Sequence, residues 1–98
     1  MIRVMYRWTV EPGDEEIFRG HWEEGTRRIQ SNCAGAMGSI LMRSASEPRH
    51  FFGLARWESR SMWDTAQQAI IKLKLPGPLP ESVRFFDELL EIVAQEKD

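Results

Sequence analysis

The sequence predicts one α+β domain of the split βαβ type. Three observations carry that prediction. Hydrophobicity alternates with period two near residues 2–10, 36–43 and 49–57; helical periodicity fills one segment between the first two runs and one after the third; and 98 residues suffice for one core but not two. A β-α-β-β-α order leaves three strands and two helices, and a fourth strand towards the C-terminus completes the arrangement.

In the first strand Ile2, Val4, Tyr6, Trp8 and Val10 alternate with Arg3, Met5, Arg7 and Thr9. Met5 and the arginine stems make the second side apolar as well, which favours a strand covered on both sides. Glu11-Pro12-Gly13 breaks the strand. The helix that follows is expected to hold Asp14-Glu15-Glu16 in its first turn and Arg27-Arg28 in its last, as the helix dipole favours. Phe18, Trp22, Gly25 and Ile29 share its apolar face, with His21 at the edge. Gly25 weakens helix propensity, and permits either a close approach to the sheet or room for a ligand.

Asn32-Cys33-Ala34-Gly35 closes that helix, and a second strand runs from about Ala36 to Arg43, weakened by Gly38. The polar link Ser44-Ala45-Ser46-Glu47-Pro48 leads to a third strand from Arg49 to Trp57. There Phe51, Gly53, Ala55 and Trp57 face one way, and Phe52, Leu54 and Arg56 the other. Ser59 is placed to cap a second helix from about Arg60 to Lys74. Met62, Ala66, Ala69 and Leu73 form its stripe, flanked by Trp63 and Ile70. Leu75-Pro76-Gly77-Pro78-Leu79-Pro80 cannot continue it, because proline removes donors and fixes φ. Propensities beyond Pro80 are mixed, so topology decides: a helical turn near Glu81–Phe86, then a strand near Leu89–Gln95.

A net charge of −2 without a basic block lacks the footprint of nucleic-acid binding. With Cys33 the only cysteine, neither an intramolecular disulfide nor a thiolate metal cluster can form. His21 and His50 are the only histidines and lie far apart in sequence, so no zinc-type metal site is expected. Charged residues stand where a signal peptide is apolar, and no run is long enough to span a membrane. The expectation is a soluble, cytoplasmic protein that binds neither nucleic acid nor membrane.

The run Tyr6-Arg7-Trp8-Thr9-Val10-Glu11-Pro12-Gly13, followed by Glu16, Phe18 and Trp22, resembles the opening strand and helix of the antibiotic biosynthesis monooxygenase family. Gly35-Ala36-Met37-Gly38 is similar to that family's helix-to-strand entry. Ala55-Arg56-Trp57-Glu58-Ser59 is similar to its third strand, closed by Trp, and its Glu-Ser helix start. The resemblance covers about residues 1–74 of what is read as a single domain over residues 1–98. It implies a ferredoxin-like, four-stranded antiparallel sheet with its helices on one face. It further implies a homodimer joined through the sheet faces as a dimeric α/β barrel, with one pocket per subunit between helices and sheet.

Members of the family that turn polycyclic phenols into quinones imply a reaction without metal, flavin or other cofactor. The substrate phenolate itself reduces oxygen, and the protein binds, orients and deprotonates it. In one such branch the Trp closing strand three is joined by an Asn four residues earlier and a Tyr six later. This sequence keeps the Trp as Trp57 and has Gly53 and Trp63 at the other two positions. The branch's later Arg has only Lys72, Lys74 and Arg84 as counterparts by type. The heme-degrading branch places an Asn, a Trp and a His near Tyr6, Ala66 and Pro76. No histidine lies beyond His50, so that branch's axial ligand is missing.

The candidates are therefore Trp57, His21 and Tyr6 for catalysis, and Trp8, Trp22, Trp63 and Gly53 for substrate binding. Imidazole is the side chain that ordinarily titrates nearest neutrality, which makes His21 a possible base. A buried tyrosine or tryptophan needs a partner for its O–H or N–H and can aim it at a ligand. Each candidate also has a plain packing role: Trp57 and Trp63 in the core, Tyr6 and Trp8 beside Val4, His21 on a helix edge. His50 is expected at the surface. Cys33, following a helix C-terminus whose dipole disfavours thiolate, is expected to be unreactive. The leading expectation is a homodimeric, cofactor-independent monooxygenase acting on a hydrophobic, aromatic small molecule. The alternative is a non-catalytic small-molecule-binding or stress-response module of the same fold. A deep cavity with His21 or Tyr6 at its wall favours the first, and one packed shut by Trp and Met the second.

Overall fold

The computed structural model describes residues 1–86. In chain order these form β1 (Ile2–Thr9), α1 (Glu15–Asn32), β2 (Ala36–Arg43), β3 (His50–Trp57), α2 (Arg60–Leu73) and β4 (Ser82–Phe86). The strands make one antiparallel sheet in the order β2-β3-β1-β4. Each helical crossover passes over one intervening strand, so the two halves interleave in the ferredoxin-like manner.

Register decides which side chains meet the helices. β1 pairs with β3 from Ile2 opposite Trp57 to Thr9 opposite His50. Because side chains alternate, Val4, Tyr6 and Trp8 share a face with Gly53, Ala55 and Trp57. The core on that face has two parts. Ile2, Val4, Cys33, Trp57 and Ala66 pack with Tyr6, Ile29, Trp63 and Phe85 around them. Val10, Phe18 and Phe51 form the second part, with Trp8 and Leu41 against it. Gly38 marks a bulge in β2: Met37 is skipped in the pairing, and Arg56 donates to its carbonyl at 3.1 Å.

Several elements depart from the expectations. α1 continues to Asn32, and no base stands in its last turn. Arg28 instead donates to the carbonyl of Leu73, so its charge serves the C-terminus of α2, where carbonyls lack intrahelical partners. α2 begins as expected, with the Ser59 hydroxyl accepting from the Met62 N–H at 3.1 Å. It stops at Leu73, because Lys74 turns left-handed at φ 50°.

The expected helical turn at Glu81–Phe86 is a strand. β4 pairs with β1 from Arg7 opposite Ser82 to Arg3 opposite Phe86. Once the prolines have stopped the helix, the free edge of β1 offers a row of backbone groups that a strand satisfies and a helical turn does not. The strand expected near Leu89–Gln95 lies outside the described residues.

His50 is half-buried rather than exposed. Pairing with Thr9 brings its ring beside Arg7, whose Nη2 lies 3.1 Å from Nε2 and 3.2 Å from Nδ1. One ring nitrogen accepts from the guanidinium, according to the tautomer.

The sheet's other face carries Met5, Ile40, Met42, Phe52 and Leu54, and no described element covers it. Ile40 is 55% exposed and Met42 37%. On the same face Arg3 Nη1 and Arg7 Nε are buried without a hydrogen-bond partner.

Candidate functional site

Between the helices and the sheet lies a cavity of about 480 Å³, within the range of small-molecule sites. Tyr6 and Trp8 from β1, Trp57 from β3, His21, Trp22 and Gly25 from α1, and Trp63 and Gln67 from α2 line it. Its mouth is bordered by the segment 75–80 and by Val83 of β4. The cavity is open rather than packed shut, with Tyr6 and His21 both at its wall.

Six of the seven residues singled out from the sequence come together here: Tyr6, Trp8, His21, Trp22, Trp57 and Trp63. Gly53 is not at the cavity surface. A Cβ there would stand 3.1 Å from the ring of Trp8 and 3.2 Å from Nε1 of Trp22. Its missing side chain lets both indoles settle onto β3. Gly25 resolves in favour of open space: the nearest atoms to a Cβ there belong to Leu75, at 3.9 Å, not to the sheet.

The aromatic wall is built in steps. The Tyr6 and Trp8 rings lie 6.0 Å apart, Trp8 meets Phe18 edge-on at 5.3 Å, and Phe18 meets Phe51 at 5.2 Å. Such offset and edge contacts suit the ring quadrupoles and hold each ring in place. Trp57 is only 3% exposed and closes the floor as part of the core. Trp63 is held by an edge-to-face contact with Phe85 at 4.7 Å, and the Arg60 guanidinium stacks 3.7 Å over that Phe85 ring.

One polar bond spans the cavity wall. The indole N–H of Trp63 donates to the hydroxyl of Tyr6 at 2.9 Å. Burial pushes the Tyr6 phenol above its ordinary range, and the bond from Trp63 offsets only part of that. A phenol in this setting stays protonated at neutral pH, which removes it as a general base. Cys33 is buried away from this wall, and burial pushes its thiol up too.

The strap after α2 forms the roof, a role that its sequence, which marks only a helix breaker, does not announce. Trp8 donates its indole N–H to the carbonyl of Pro78 at 3.1 Å, and the N–H of Glu81 bonds the carbonyl of Arg7 at 2.7 Å. Gly77 sits at φ 89°, and a Cβ there would come within 3.0 Å of the His21 Cβ. Only glycine combines that backbone with so close an approach to α1. Three prolines in six residues are the signal that could have marked a rigid wall. Gln67 was also missed; its amide donates to the Trp63 carbonyl at 2.8 Å.

Among the described residues no three His, Cys, Asp or Glu side chains cluster as a metal site would require, and no helix is long and apolar enough to cross a membrane.

Comparison with known proteins fits this architecture. Among solved structures, a Bordetella bronchiseptica protein of the antibiotic biosynthesis monooxygenase type is 22% identical, with 91% of this chain and 97% of that one aligned at a TM-score of 0.66. A mutant of MhuD, solved with two manganese protoporphyrin IX molecules per active site, is 15% identical over 96% of this chain and 100% of its own, at a TM-score of 0.74. SnoaB, a cofactor-independent oxygenase from Streptomyces nogalater, is 14% identical over 95% and 97%, at 0.67. At these identities the likeness is one of fold. The curated proteins gave no match. The family model described as antibiotic biosynthesis monooxygenase matches residues 1–70, and by that match the chain belongs to this family.

Proposed function

We propose that the protein is a cofactor-independent monooxygenase acting on a hydrophobic, aromatic small molecule held between helices and sheet. The observation that carries this reading is an open cavity walled by four indoles, with Tyr6 and His21 as polar groups on an otherwise largely apolar surface. An apolar cleft with a few placed polar groups is what binds and orients a planar ligand.

In the reaction proposed, a phenol of the naphthol or anthrone type loses its proton to His21. The resulting anion donates electrons to dioxygen. One oxygen atom enters the ring as a new carbonyl, the other leaves as water with the two hydrogens lost from the substrate, and the product is a quinone. Trp57 supports the floor beneath the ring, and Trp8, Trp22 and Trp63 supply flat contact surface. Gly53 serves by letting Trp8 and Trp22 close down on β3. The likeness to SnoaB, a cofactor-independent oxygenase, supports the same chemistry.

A second copy of the chain is proposed to cover the other face of the sheet. Ile40 and Met42 stand exposed there, and two arginine nitrogens are buried without partners. A patch of that kind on a small domain favours self-association. Residues 1–98 are taken as one such domain per subunit.

Aerobic incubation with a panel of anthrones and naphthols, followed with an oxygen electrode, tests the reaction. Substrate-dependent oxygen uptake with quinone absorbance is expected. Folded protein that consumes no oxygen across the panel would overturn it.

A further inference from the structure

We propose that Tyr6, fixed by Trp63, is the donor that recognises an oxygen atom on the bound aromatic molecule and stabilises that oxygen as an anion. This rests on the preceding reading and deepens it by assigning the residue that recognises the phenolic or enolic oxygen, in preference to bare hydrocarbons.

Valence limits what each of the two groups can do. An indole N–H can only donate, and a tyrosine hydroxyl offers one proton and two lone pairs. Trp63 Nε1 lies 2.9 Å from the Tyr6 oxygen, so it occupies a lone pair and leaves the hydroxyl proton free to point elsewhere. Among the described residues no acceptor for that proton is found, and Tyr6 lines the cavity.

The surroundings fix the direction. Tyr6 stands opposite Gly53 on β3 and Val83 on β4, so neither cross-strand neighbour offers it a polar group. Trp63 cannot swing away easily, being packed edge-on against Phe85. The one N–H of Trp8 is committed to the Pro78 carbonyl. Tyr6 therefore presents an oriented donor whose oxygen is already polarised by a second donor, and such a chain strengthens the outward bond. A donor held in place before the ligand arrives acts on developing charge without reorganising. Its high pKa keeps the proton in place at neutral pH.

The test is equilibrium binding of 4-nitrophenol under anaerobic conditions, where no turnover is needed, with naphthalene as the oxygen-free control. The nitrophenolate absorbance reports directly whether the bound probe is ionised. Wild type is expected to ionise the bound probe at lower pH than free solution does. Tyr6→Phe should weaken phenolate binding about ten- to a hundredfold, the range for a hydrogen bond to a charged group. It should leave naphthalene binding within about twofold, because the hydrocarbon makes no hydrogen bond for the variant to remove. Trp63→Phe keeps the edge contact but removes the supporting N–H, and should lose part of the ionisation shift. Equal phenolate binding by wild type and Tyr6→Phe, with naphthalene still bound, overturns the donor assignment alone. Failure of folded wild type to bind either probe overturns the aromatic cavity reading together with it.

Discussion

The indole nitrogen of Trp63 and the hydroxyl oxygen of Tyr6 are 2.9 Å apart, which joins the first turn of α2 to the middle of β1. Tyr6 is the only tyrosine, so its titration can be followed without overlap. Burial raises its pKa above the ordinary 10.0. For a group whose folded pKa exceeds its unfolded one, stability is fully present below the unfolded value and is lost as pH rises through the folded value. Tyrosinate absorbance should therefore appear only above about pH 10, accompanied by falling stability towards denaturant. Ionisation at the ordinary value in folded protein would show the hydroxyl to be open to water.

Trp57 is core before it is anything else. Trp57→Ala should cost about 3–5 kcal/mol, as large aromatic truncations in packed interiors do. Trp57→Phe should cost clearly less. Urea denaturation of the pair separates the loss of volume from any loss of turnover.

Gly53 has the opposite problem, because space there is already taken. Gly53→Val should cost about 1–3 kcal/mol by forcing Trp8 and Trp22 outward. Tryptophan fluorescence should shift along with the lowered melting temperature. An unchanged melting curve would mean that the two indoles can move freely.

His21 is half-buried at the cavity wall and outside both core clusters. If it takes the substrate proton, His21→Gln should lower kcat by about 10²–10⁴-fold, the usual contribution of a general base. Its melting temperature should stay close to that of wild type. A variant with full activity would assign the proton to another acceptor.

The open sheet face predicts association. Ile40→Glu places a charge on a position that is 55% exposed in the single chain. Sedimentation equilibrium should give a dimer for wild type and a monomer for the variant, with the fold of the subunit kept. A wild-type monomer would leave the arginines of that face without their proposed cover.

Most of the fold was legible because alternation and helical spacing report burial directly. Val4, Tyr6 and Trp8 fall on one side of β1 by period two alone, and Ser59 announces α2 by its capping chemistry. β4 was misread because Val83 and Phe86 also fit a helical spacing, and only the free edge of β1 decides between the two. The aromatic members of the site were legible as residue types. Their partners were not. That Trp63 meets Tyr6, or that Arg28 serves the end of α2 instead of its own helix, depends on distances across the chain that no local pattern encodes. The strap was invisible for a related reason: prolines declare where a helix stops, not what the following backbone will cover.

That strap has a further consequence. The family match ends at residue 70, whereas Leu75, Gly77 and Pro78 border the cavity, with Pro78 bonded to Trp8 and Gly77 leaving no room for a side chain beside His21. The part matched by the family model supplies the floor and sides, and the short stretch after it supplies the roof's shape. Selectivity among guests of different outline can thus evolve, or be engineered by loop exchange, with the hydrophobic interior left untouched.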